Sequence, residues 1–166
     1  MGMTFLEQIA AVALGMIPGD QLPEVATVGI IEGYDCSSLA ALAGQSSIVY
    51  DSWEFRGLWR RSLQEMGLSI PAPLEAAKTL VRMYARLVAV GELTPRVGGA
   101  KIVQVHQEVH QWTEDEVYVG DSIGASCIIG LYYQHDDCGF LDEVTHQKID
   151  CEILEKCRNI ISNPAV

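Results

Sequence analysis

The chain has 166 residues, 49% of them apolar, with a net charge of −11. That length suits one domain with a sizeable core, and the apolar content excludes a disordered chain. The acidic balance excludes a nucleic-acid binder and a binder of anionic membrane, since both need clustered Lys and Arg to meet phosphates. The charge is also uneven. Residues 1–50 hold 5 acids and no Lys or Arg, residues 51–103 hold 5 acids and 8 bases, and residues 104–166 hold 12 acids and 3 bases.

The first helix is expected over 4–15, with Leu6, Ile9, Ala10 and Leu14 on its buried side. The apolar run from Ile9 to Ile17 has no basic residue before it, and Glu7 interrupts the approach to it, so it is not read as a signal peptide. Pro18-Gly19-Asp20 reads as a turn. A short helix over 23–31 ends at Gly33, and another over 36–43 takes Asp35 as its cap and Gly44 as its end.

The central block is the most legible. Asp51 with Glu54 three residues later makes a capping box for a helix over 52–66. Phe55, Leu58, Trp59, Leu63 and Met66 form its stripe, and Gly67 ends it. Pro73 opens the next helix, with Ala77, Leu80, Val81, Tyr84, Leu87 and Val88 facing inward and Gly91 as the stop. Thr94-Pro95 starts a third; Val103, Val105 and Val109 also suit a strand, but the helical stripe of Ile102, Val105, His106, Val109 and Trp112 is the better match. Gly98-Gly99 should weaken that helix by about 1 kcal/mol per glycine. Trp53, Trp59 and Trp112 read as core anchors.

Residues 113–116 read as an acidic turn and 117–119 as extended. Residues 122–134 are apolar almost all round, which places that helix at the centre of the core. It is too short for a membrane span, which takes ~20 residues. The last helix runs over 142–161, with His146, Ile149, Ile153, Cys157 and Ile160 on one face. The fold class that follows is all-α, a single domain over 1–166 of about seven or eight helices packed around that apolar helix.

The run 39–44 (Leu-Ala-Ala-Leu-Ala-Gly), the Ala76-Ala77 helix, the run 91–95 (Gly-Glu-Leu-Thr-Pro) and the run 99–102 (Gly-Ala-Lys-Ile) carry a resemblance. It is to a family of small helical bacterial proteins of actinomycete type with no assigned activity. The resemblance covers roughly half the chain and its motifs are weakly specific. It implies a helical fold and transfers no catalytic residue.

Three constellations bear on chemistry. Residues 120–124 (Gly-Asp-Ser-Ile-Gly) fit G-x-S-x-G, the pattern that presents a nucleophilic serine, here Ser122, on a strand-to-helix elbow. The strands of a hydrolase sheet are missing, so the competing account is a helix N-terminus capped by Asp121. His106 and His110, four apart, share a helix face and are the candidate metal ligands, although Gln107 stands where a zinc protease has Glu. His135, Asp136, Asp137 and Cys138 form a second cluster. The five cysteines show no disulfide or C-x-x-C spacing and read as reduced thiols.

The functional expectation is a cytoplasmic, acidic, non-enzymatic binding protein without a cofactor, of immunity or antitoxin type, neutralising a basic partner. Glu114, Asp115, Glu116, Asp121, Asp136 and Asp137 are its candidate contacts. The alternatives are a small hydrolase, metal-dependent through His106 and His110 or serine-dependent through Ser122, and a homo-oligomer joined through the apolar helix.

Overall fold

A computed structural model describes residues 2–45, 52–110, 119–137 and 143–163, with the side chains of all these except 52, 119, 136 and 137. Among the described residues every regular element is helical, as the hydrophobic periodicity implies. The residues fall into two compact units, Gly2–Ala72 and Pro73–Val166, and each is described by itself.

In Gly2–Ala72, Thr4 caps the first helix, α1 (Phe5–Ala13), through a capping box with Glu7. Glu7 N–H donates to Thr4 Oγ1 at 3.3 Å, and Thr4 N–H donates to Glu7 Oε2 at 2.7 Å. A one-turn 3₁₀ helix, Gly19–Gln21, leads into α2 (Leu22–Ile31). Gly33, with φ +91, lets the chain turn away. Glu32 at the end of α2 reaches back to α1, where Phe5 N–H donates to its carboxylate at 3.0 and 3.1 Å. One otherwise orphaned helix-start donor is thereby satisfied.

The inward face of α1 differs from expectation at one position. Phe5 is fully buried, whereas Leu6 is half-exposed. A helix turns about 100° per residue, so Phe5 and Ile9 share the stripe and Leu6 rotates off it. The Phe5 ring packs 4.7 Å from Tyr34 and edge-on to Trp59 at 6.0 Å. It also lies against the backbone of α2, where a Cβ built on Gly29 would stand 2.8 Å from the ring.

Helix α3 (Ser37–Ala43) packs on α4 (Ser52–Glu65). Asp35 does not cap α3. Its N-cap is Cys36, which makes no side-chain cap bond. The cap comes from another helix. Glu65 accepts from Ser38 N–H at 3.1 Å, from Ser38 Oγ at 2.6 Å and from Ser37 Oγ at 3.3 Å. The Ser38 hydroxyl, and then the Ser38 backbone, hold the Glu65 carboxyl down to about 2 from an ordinary 4.5. A lowered folded-state value favours folding at all pH above 4.5, and that contribution disappears as pH falls from there toward 2. Glu65→Gln should therefore flatten the acid limb of the stability profile, read as denaturant midpoint against pH. An unchanged limb between those values would mean that the carboxylate does not hold α3 to α4.

Phe55, Leu58, Trp59 and Leu63 of α4 are buried as the spacing predicts. Trp53 is not a core anchor, since it is 88% exposed. Trp112, the Asp51 cap, the acidic turn expected over 113–116 and residues 117 and 118 of the expected extended stretch lie outside the described residues, whereas Val119, expected to be extended, begins a helical turn.

In Pro73–Val166, α5 (Pro73–Ala89) packs against α6 (Pro95–His110) and α9 (Glu143–Ser162). Helix α8 (Ser126–Asp137) packs against α6 and α9 as well. Thr94 Oγ1 accepts from Val97 N–H at 3.3 Å, the expected cap of α6. Gly98 and Gly99 lie in the first turns of that helix, where local propensity sees only a cost. A Cβ on Gly98 would run into Val88 Cγ2 of α5, and one on Gly99 would touch Tyr132 of α8 at 3.4 Å. The missing side chains let two neighbouring helices approach the α6 backbone.

The apolar stretch over 122–134 does not form one helix buried on all sides. Gly124 takes φ +69 and separates a single turn, α7 (Val119–Ser122), from α8. Ile123, Ala125, Ile128 and Ile129 are buried, but Cys127 and Tyr133 are exposed. Helix α9 buries Ile149, Ile153, Cys157 and Ile160 as expected. Burial pushes the Cys157 thiol up to about 11, so it packs as a small hydrophobe. Cys36, Cys127, Cys151 and Cys157 are all free. Among the described residues no helix is long and apolar enough to cross a membrane.

Candidate functional site

The described sequence-predicted residues lie on three helices, with His106 and His110 on α6, Asp121 and Ser122 on α7, and His135 on α8. His106 and His110 do share a face of α6, with ring centroids 6.1 Å apart. His106 is partly buried, and desolvation followed by the neighbouring His110 keeps its imidazole below the ordinary range, hence neutral. A neutral imidazole is the form that ligates a metal. No third donor joins it, because the described residues contain no group of three or more His, Cys, Asp or Glu that could hold a metal ion.

Ser122 is not on a nucleophile elbow. Gly124 N–H donates to the Asp121 carbonyl at 3.1 Å, and Ala125 N–H donates to the Gly120 carbonyl at 2.8 Å. With Gly124 left-handed, these are the paired bonds of a Schellman cap. Residues 120–124 thus end a helix, and Asp121 lies inside that turn rather than capping the helix after it. No hydrogen bond joins Ser122 to a histidine among the described residues.

Of the six candidate carboxylates, Asp121 is exposed on α7. Asp136 and Asp137 end α8 with their side chains outside the description, and Glu114, Asp115 and Glu116 lie outside the described residues. The acidic surplus belongs to both units: Gly2–Ala72 contains 8 acids against 3 bases, and Pro73–Val166 contains 14 against 8. None of the acidic side chains described is buried.

One polar cluster was not anticipated. His135 from the last turn of α8 meets His146 from α9, with His135 Nε2 and His146 Nδ1 3.2 Å apart and the ring centroids at 4.4 Å. Asp150 Oδ1, one turn further along α9, is 3.7 Å from the same His135 nitrogen. His135 is only 6% exposed. At that separation one imidazole donates its N–H to the lone pair of the other. The cluster fastens the end of α8 to α9. The available signal was the four-residue spacing of His146 and Asp150, which puts both on one helix face.

Among the described residues, two surface hollows accompany these groups, and neither is lined by these histidines or by Ser122. One, of about 330 Å³, lies on α4 between Trp53, Arg56, Gly57 and Arg60. The other, of about 180 Å³, lies between α8 and α9 beside Cys127 and Lys156. No family model, curated protein or solved structure matches this chain.

Proposed function

We propose that this protein is an acidic binding protein of the cytoplasm, of immunity or antitoxin type, that engages a basic protein partner through surface carboxylates. The observation that carries the reading is the placement of charge. The chain has a net charge of −11, and none of its described acidic side chains is withdrawn into a core. Carboxylates left at the surface create a field that speeds encounter with a cationic partner and repels anionic ones. The final 63 residues, with 12 acids against 3 bases, are the segment that contributes most.

A decalysine peptide is the probe for this reading. Its affinity for the full chain should fall on the order of tenfold or more as salt rises from about 0.05 M to about 0.5 M, because screening shortens the reach of exposed charges. Binding that ignores salt, or no binding at the lower salt, would contradict the proposal.

A further inference from the structure

We propose that the hollow on α4 formed by Trp53, Arg56, Gly57 and Arg60 docks an acidic segment of a partner protein. This surface is opposite in sign to the carboxylates above, and the inference does not depend on their engaging a basic partner. Arg56, Arg60 and Arg61 are the whole complement of Lys and Arg in Gly2–Ala72, gathered within two turns of one helix. All three are exposed, and none forms a salt bridge with a described residue. Glu65, four residues after Arg61 and placed to pair with it, is turned to the serines of α3 instead. Arg61 Nε donates back to the Gly57 carbonyl at 3.4 Å.

Gly57 supplies the second observation. It sits in the middle of α4, where glycine is the poorest choice after proline. Unlike Gly29 or Gly98 it has no packing reason, since a Cβ there meets nothing within 4 Å. Gly57 is one of the four residues that line the hollow, and it brings no side chain into it. Trp53 stands beside it, 88% exposed. Exposed Trp and Arg at helical spacing are the residue types that carry most binding energy at interfaces.

Charge complementarity selects the occupant. Guanidinium groups match carboxylates through paired N–H donors. A long polyanion, nucleic acid or anionic membrane, would also meet the repulsion of the remaining surface. A short acidic segment meets the field of the arginines within about one Debye length of ~8–10 Å.

The test is fluorescence anisotropy of a labelled tetraglutamate peptide titrated with the full chain at about 0.1 M salt. Wild type should bind, and Arg56→Glu with Arg60→Glu should weaken binding at least about tenfold. Trp53→Ala should weaken it several-fold. Gly57→Ala should raise the melting temperature and still weaken binding, a combination that a purely structural glycine would not produce. Arg158→Glu, at an exposed position of α9, should leave the affinity within about twofold. The proposal is overturned if wild type does not bind the peptide, or if the Arg56, Arg60 and Trp53 variants bind as wild type does. It is equally overturned if a single-stranded oligonucleotide or anionic vesicles displace the peptide at matched charge concentration. Failure of decalysine binding would leave these outcomes unchanged, so the two readings fall separately.

Discussion

Gly98→Ala is expected to destabilise the protein by about 2 kcal/mol, the opposite of what the same change does in an open helix. An added Cβ would enter the space of Val88 Cγ2. Val88 is itself buried and β-branched, so its methyl cannot rotate away cheaply. Either the valine leaves its rotamer or α5 and α6 separate, and both options expose or strain a packed interface. Denaturant unfolding of Gly98→Ala, Val88→Ala and the double variant measures this directly. The double variant should lose less stability than the two single variants added together, since truncating Val88 removes the atom that clashes. A rise in stability for Gly98→Ala would show that α6 is not in close contact at that turn.

Phe5→Ala should cost more, about 3–5 kcal/mol. Phe5 is fully buried and joins three elements of its unit: the end of α2 through Gly29, the following segment through Tyr34, and α4 through Trp59. Removing the ring leaves a cavity whose walls are held by other contacts and so cannot close fully. The Gly29 contact offers an internal check. Gly29→Ala alone should destabilise by crowding the ring, whereas in the Phe5→Ala background the added methyl occupies vacated space and should recover part of the loss. A loss below about 1 kcal/mol for Phe5→Ala would put it with ordinary peripheral apolar residues rather than at a core centre.

Helix positions were legible because their ends are written in local chemistry. Gly67, Pro73, Gly91 and Thr94-Pro95 act within a few residues of themselves, and each appears where its capping or breaking role requires. What escaped was whatever a distant element decides. Gly98-Gly99 reads as a weak spot until α5 and α8 are laid against it. The cap of α3 comes from Glu65, 27 residues beyond the serine it holds. G-x-S-x-G is one string with two outcomes, and the left-handed Gly124 selects a helix end over an elbow. Trp53 follows no buried stripe of α4 and was read by residue type alone, which favours the core on average and failed here. The His135–His146 pair joins two helices across 11 positions, a separation no periodicity rule covers.

The charge asymmetry is legible from composition alone, with 12 acids against 3 bases in residues 104–166. Asp121 is placed, exposed, at the single turn before α8, and the other five candidate carboxylates fall where side chains are not described. Their role therefore has to be measured in solution. The most direct measurement compares decalysine affinity of wild type with that of a variant carrying Asp121→Asn, Asp136→Asn and Asp137→Asn, at one low salt concentration. If those carboxylates are contacts for a basic partner, the variant should bind about fivefold or more weakly while melting at the wild-type temperature. Equal affinity in the two proteins would contradict the account.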